Sequence, residues 1–204
     1  MFGVAAEPLK SLASSANQPS AYTSMMLQLY LETLQEQSGE LKVLDLGPVC
    51  EENIMFFAAL VKRVYVCDMF IRLDRHRRPG KTSRDLLEDL DYPEQSFHGI
   101  HLWDLVDHLE DGEASRLVEV CHRLLRPRGL LTVIAYDKLP AASSPVRSFV
   151  IQSNCQVAPR PQPHLDLPWY FRSNRQLTAL LAIFPRINSF LSRSGTREML
   201  LERG

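Results

Sequence analysis

The chain has no excess of charge, no long apolar run, no paired cysteines and no glycine-rich dinucleotide fingerprint. Its 23 lysines and arginines stand against 24 aspartates and glutamates, a net charge of −1, so the basic footprint of a nucleic-acid or membrane-surface binder is missing. No stretch reaches the length of a membrane-spanning helix, and Met1 to Ser20 lacks the basic start and apolar core of a secretory signal. The expected setting is therefore cytoplasmic, with neither a membrane nor a nucleic-acid partner. Cys50, Cys67, Cys121 and Cys155 form no C-x-x-C pair, and no metal site is expected. Cys67 and Cys121 read as small core residues, and Cys50 as an inert thiol for want of a nearby histidine. The absence of a G-x-G-x-x-G spacing argues against a nicotinamide-dependent oxidoreductase.

What is present is organised around Leu41 to Phe70, LKVLDLGPVCEENIMFFAALVKRVYVCDMF. Val43, Leu44 and Leu46 form a short apolar run that stops at Asp45-Leu46-Gly47-Pro48, which predicts a strand and a tight turn. Glu51, Glu52 and Asn53 then put acidic and polar side chains in the first turn of a helix, where the backbone dipole favours them. The helix body, Ile54 to Val61, is apolar almost all round and is expected to be buried. Val64 to Cys67 is a second β-rich run with Asp68 at its carboxyl end, about 20 residues past the turn, a place from which a carboxylate takes a ribose diol. The alternative role for Asp68 is a cap on the next segment.

Val43-Leu44-Asp45-Leu46-Gly47, a helix, a second strand and Asp68 together resemble the opening of class I S-adenosylmethionine-dependent methyltransferases. Of the family's acidic residue and three alternating glycines, only Asp45 and Gly47 are kept; Val49 and Glu51 stand at the other two glycine positions. Asp91 to Ile100 resembles the segment entering the family's fourth strand, with His98 at its usual aspartate, and aligning there puts Leu86 where an adenine-binding aspartate often lies. Leu124-Leu125-Arg126-Pro127-Arg128-Gly129-Leu130-Leu131-Thr132-Val133-Ile134 resembles the family's helix-to-strand junction, with Arg128 at a frequent glycine.

The resemblance implies one Rossmann-like α/β domain over residues 1–204, a mostly parallel sheet with helices on both faces and a C-terminal antiparallel hairpin. It implies S-adenosylmethionine as cofactor, bound by Asp45, Gly47, Pro48, Asp68, Met69, Leu86 and Trp103, and methyl transfer to a small or medium-sized acceptor. The competing reading is a non-catalytic relative that keeps the fold for binding or interaction.

Residues 1–19 are expected to be loosely ordered. Tyr22, Met25, Met26, Leu29, Tyr30 and Leu34 recur at helical spacing up to Gly39, a helix covering either the sheet or the cofactor mouth. Arg72 to Lys81 is the densest basic run and reads as a solvated loop, with an anionic ligand as the alternative. His98 and His101 are expected on opposite faces of a strand, unable to share a metal. His108 is the candidate general base, set against a surface or capping histidine. Lys138 to Trp169 is proline-rich without a period and reads as a loop or lid, with Phe149, Trp169, Tyr170 and Phe171 as apolar anchors, or as a disordered connector. Ser173-Asn174 is expected to cap a final helix, followed by two strands around Ser194-Gly195.

Overall fold

Single residues along the central strands alternate between two apolar cores, and this alternation fixes the layers. The computed structural model describes residues 21–78, 86–141, 144–192 and 195–204. In chain order the elements are β1 (Tyr22–Thr23), α1 (Met25–Gln35), β2 (Lys42–Asp45), α2 (Glu51–Ala58), β3 (Arg63–Val66), α3 (Met69–Arg77), β4 (Phe97–His101) and α4 (Asp111–Leu124). They continue with β5 (Leu125–Tyr136), β6 (Arg147–Ile151), β7 (Gln156–Pro161), α5 (Asn174–Leu180), β8 (Arg186–Leu191) and β9 (Thr196–Glu202). The main sheet runs β3-β2-β4-β5-β9-β8, with β3, β2, β4 and β5 parallel and β9 antiparallel to both β5 and β8. This is the expected α/β architecture with a C-terminal antiparallel hairpin.

Leu44, Leu131, Val133 and Leu201 face the core built with α3, α4 and α5, while Val43, Leu130, Ile134 and Leu200 face the core built with α1 and α2. The period of two in each strand supplies both faces. Helix α1 covers the sheet with Met26, Leu27, Tyr30 and Leu34. Met25 is instead 49% exposed and Tyr22 pairs with Val157 in a small sheet, β1-β7-β6. Ser24 accounts for the difference: its hydroxyl caps the Leu27 N–H at 3.0 Å, so the helix starts after Tyr22.

Three expectations are corrected. Helix α2 buries only Asn53 and Phe57, and Met55 is 64% exposed. Arg72 to Arg77 lie on α3, not in a loop, and the run is neutralised locally by Arg72–Asp89, Arg77–Glu113 and Arg78–Asp74 pairs. The proline-rich stretch contains the β6–β7 hairpin: Pro161 ends β7, and Pro159, opposite Phe149, lies beyond the two β7 residues that pair with β1. Residues 1–19 and Lys81 lie outside the described residues.

Gly99 shows how tightly α1 is seated. A Cβ there would lie 2.1 Å from the Tyr30 hydroxyl, a group that has no hydrogen-bond partner among the described residues. Gly99→Ala is therefore expected to cost about 1 to 3 kcal/mol by overpacking, and Tyr30→Phe, which removes the obstructing oxygen, to restore part of that loss in the double variant. Urea unfolding of the four proteins gives the coupling; strictly additive effects would show that the two residues do not meet.

Candidate functional site

The chain leaves β2 toward β3 on one side and returns to β4 on the other, so the strand order reverses at β2, and ligands of open α/β sheets bind at the carboxyl ends beside such a reversal. Asp45, Leu46 and Gly47 end β2 there, and Trp103 follows β4. Asp45 is 3% exposed, and its Oδ1 accepts from the Gly47 N–H at 2.9 Å and the Trp103 indole N–H at 2.7 Å. Burial raises its pKa to about 6 against the lowering effect of those two donors, with the Asp68 charge adding to the rise.

The indole also covers the turn. A Cβ on Gly47 would be 2.4 Å from Trp103 Cδ1, so only glycine permits this approach. Trp103 holds φ +53, a left-handed conformation that is costly for a bulky residue and persists only when surroundings enforce it. Here the enforcing partners are Asp45 below and Phe149 of β6 beside it, whose ring lies parallel at 6.1 Å. The hairpin is in turn fastened to α2. Asn53 donates to the Phe149 carbonyl at 2.9 Å and accepts from the Ile151 N–H at 2.8 Å, and Arg160 pairs with Glu52.

Asp68 ends β3 and caps α3, accepting from the Ile71 N–H at 2.9 Å through Oδ1 and from the Val49 N–H at 3.1 Å through Oδ2. The capping alternative is thus realised, with the carboxylate half-buried against the β2 turn. Val49 is 64% exposed and Glu51 is exposed on the first turn of α2. The two side chains at lost glycine positions point outward, and the turn is narrowed by Trp103 instead.

A second polar group lies under the next residues. Asp104 is fully buried, with neither carboxylate oxygen within hydrogen-bond reach of a partner among the described residues, and Oδ2 stands 3.8 Å from His108 Nε2. Burial alone would lower the His108 pKa, but Asp104 outweighs it, helped by the Pro168 carbonyl and Asp107, so the imidazole is held above its ordinary value. Nδ1 bonds the Pro168 carbonyl at 2.9 Å. Asp107 Oδ2 accepts the Tyr136 N–H at 2.7 Å, and burial raises its pKa to about 7. Trp169 closes the cluster, 4.2 Å from the His108 ring and edge-on to Tyr136 at 5.1 Å.

Of the expected site residues, Asp45, Gly47 and Trp103 meet at the carboxyl ends of β2 and β4, with Pro48 buried next to Gly47 and Asp68 bonded to the same turn. Met69 is fully buried, its sulfur accepting from Cys67, and therefore packs in the core. Leu86 is a partly buried residue against the same core. His108 is buried beneath Trp169, not at the surface. His98 and His101 both meet the α1 side of the sheet, because a register shift between Phe97 and Gly99 turns His98 toward Glu36 and Gln37; they remain separate, His98 bonded to the Lys42 N–H and His101 to Thr132. No metal-binding group of three or more acidic, His or Cys side chains occurs among the described residues. Asp107, Tyr136 and the partnering of Asp104 with His108 were missed, although the i, i+4 spacing of Asp104 and His108 was a usable signal.

The mostly parallel sheet, its helices on both faces and its C-terminal antiparallel hairpin make this a Rossmann-like methyltransferase fold. Solved structures agree: an S-adenosylmethionine-dependent methyltransferase from Mesorhizobium loti is 16% identical, covering 85% of this chain and 95% of its own, with a TM-score of 0.53. One from Archaeoglobus fulgidus is 13% identical over 87% of this chain and 91% of its own, also with a TM-score of 0.53. No protein-family model and no curated protein sequence matches the chain.

Asp107 gives a pH test of the buried cluster. Its folded value of about 7 lies above the ordinary 3.8 because burial disfavours the charge, with Asp104 adding to the rise and Tyr136, His108 and Arg172 opposing it. Its contribution is thus fully present below 3.8 and lost as pH rises through about 7. Asp107→Asn keeps an acceptor for the Tyr136 N–H and is expected to gain on the parent by up to about 1.4 kcal/mol per pH unit within that window. Unfolding free energies at pH 5 and pH 8 check this; an equal difference at both pH values would remove Asp107 as the titrating group.

Proposed function

We propose that the protein is an S-adenosylmethionine-dependent methyltransferase acting on a small or medium-sized molecule. The observation that carries the reading is the Asp68 carboxylate at the end of β3, half-buried against the β2 turn and beside the reversal of strand order. The cofactor supplies a methyl group made electrophilic by sulfonium. The residues fit it unevenly. Asp68 is suited to the ribose hydroxyls once the Val49 N–H yields Oδ2, and the Asp45 to Glu51 turn to the methionine end once the Trp103 indole leaves the face of Gly47. With Trp103 in its present position the face of Gly47 is covered.

The acceptor belongs at the same carboxyl edge, where the segment after β5 lies. Phe149 and Trp169 are packed there, against Trp103 and against His108 and Tyr136, which supports the lid role for Lys138 to Trp169. His108 is suited to hold a proton between Nε2 and Asp104, but it meets an acceptor only if Trp169 lifts. Methyl transfer depends first on alignment, so catalysis does not require that step. The second reading, a non-catalytic relative, is favoured by one observation: both oxygens of Asp68 and Oδ1 of Asp45 are already engaged within the protein.

Calorimetry with S-adenosylhomocysteine separates the two. Saturable binding is expected, and Asp68→Asn, which keeps a capping side chain for α3, is expected to weaken it by about 1.5 to 3 kcal/mol, roughly 10- to 150-fold. Trp103 fluorescence should change on binding, because the indole must move. If only Trp103→Phe binds, the parent's turn is plugged and the non-catalytic reading holds; if neither binds, the cofactor assignment falls.

A further inference from the structure

Beyond β5 the carboxyl edge opens into a cavity of about 490 Å³ whose lining includes Tyr136, Lys138, Leu139, Ser144, Arg147 and Leu191. Lys138 and Arg147 give it two cations against one carboxylate, Asp137. Arg147, at the start of β6, gives one N–H to the Tyr136 hydroxyl at 3.1 Å, and its guanidinium lies 5.9 Å over the Tyr136 ring. Its Nε is buried and has no acceptor among the described residues. A guanidinium has five donors, and a buried donor left unmet costs free energy, so this group is oriented but not satisfied. Lys138 adds a second cation to the lining. The acidic residue there, Asp137, is offset by Arg197 at 3.4 Å.

The same cavity has an apolar mouth. Leu139 and Leu191 are each 60% exposed, an unusual state for leucine, and both line it. Leu139 and Pro140 also form a wall of an adjoining cavity of about 450 Å³ containing Leu167, Pro168 and Trp169. Trp169 is tied across the divide by its indole N–H to the Ser144 carbonyl at 3.4 Å. Cationic donors and exposed apolar side chains in one lining match a ligand with a negative head and an apolar body.

We propose that this cavity is the acceptor subsite and that it takes an apolar small molecule bearing an oxyanion, carboxylate or phosphate. Arg147 and Lys138 hold the oxyanion, and Leu139 and Leu191 cover the apolar body. The word acceptor rests on the methyltransferase reading; the binding does not, and it is measured without cofactor. Calorimetry on the full chain uses benzoate and phenyl phosphate, with benzylamine as the cationic control of similar shape.

One of the two anions is expected to bind saturably and at least about tenfold more tightly than benzylamine, and the tighter of the two identifies the head group. Arg147→Gln is expected to weaken that anion about tenfold, Lys138→Gln less, with the circular dichroism and melting temperature of each variant verifying the fold. Anions that bind no better than benzylamine, or that are indifferent to Arg147→Gln in a folded variant, overturn the subsite. A parallel titration with S-adenosylhomocysteine keeps the failures apart. Cofactor binding without anion binding overturns the acceptor class alone. Anion binding without cofactor binding supports the oxyanion site and overturns its role in methyl transfer.

Discussion

The hydrogen bond from the Trp103 indole to Asp45 is the contact on which the carboxyl edge depends. It joins the ends of β2 and β4 at the place where the strand order reverses, and it neutralises part of the cost of burying a carboxylate at 3% exposure. Everything around the crevice is arranged to keep that indole in place. Gly47 lacks the Cβ that would collide with it, Phe149 lies parallel to it, and Asn53 holds the Phe149 backbone as a neighbouring strand would. The left-handed backbone at Trp103 is the cost of the arrangement.

Turning the backbone at Trp103 has a second effect, because the next side chain goes to the other face of the sheet. Trp103 belongs to the core under α1 and α2, whereas Asp104 reaches His108, whose ring meets Phe70 of the opposite core. Two aspartates and a histidine are thereby buried together, and the segment from Pro168 to Arg172 is what closes over them. Arg172 is 5% exposed and donates to the carbonyls of Val106 and Leu109, the latter at 2.8 Å, besides pairing with Asp111. A guanidinium fork suits several carbonyls at once, so one residue fixes the turn that carries Asp107 and His108. The crevice and the polar cluster are two sides of one irregular connection after β4, and displacing either is expected to be felt by the other.

The sequence by itself determined the layers. The apolar runs Val43-Leu44 and Leu130 to Ala135, the Asp45 to Gly47 stop and the capping residue Ser173 are local signals, since strand and cap geometry depend on neighbours a few residues away. They sufficed for individual strands, turns and caps, and the resemblance they carry to the methyltransferase family implied the parallel sheet and its terminal hairpin. The tertiary structure alone decided what those elements face. That Trp103 lies on Gly47, that Asp68 is engaged by Val49, and that Arg147 stands over Tyr136 are contacts between residues 56, 19 and 11 positions apart in sequence, brought together by strand pairing and an inserted hairpin. The hairpin itself was hidden because it lies in a proline-rich stretch without a clear period, while its pairing is set by register with β1 and between β6 and β7. Burial was equally out of reach: His108 and Asp104 are polar letters in sequence, and only the closure of Trp169 and Arg172 over them removes water.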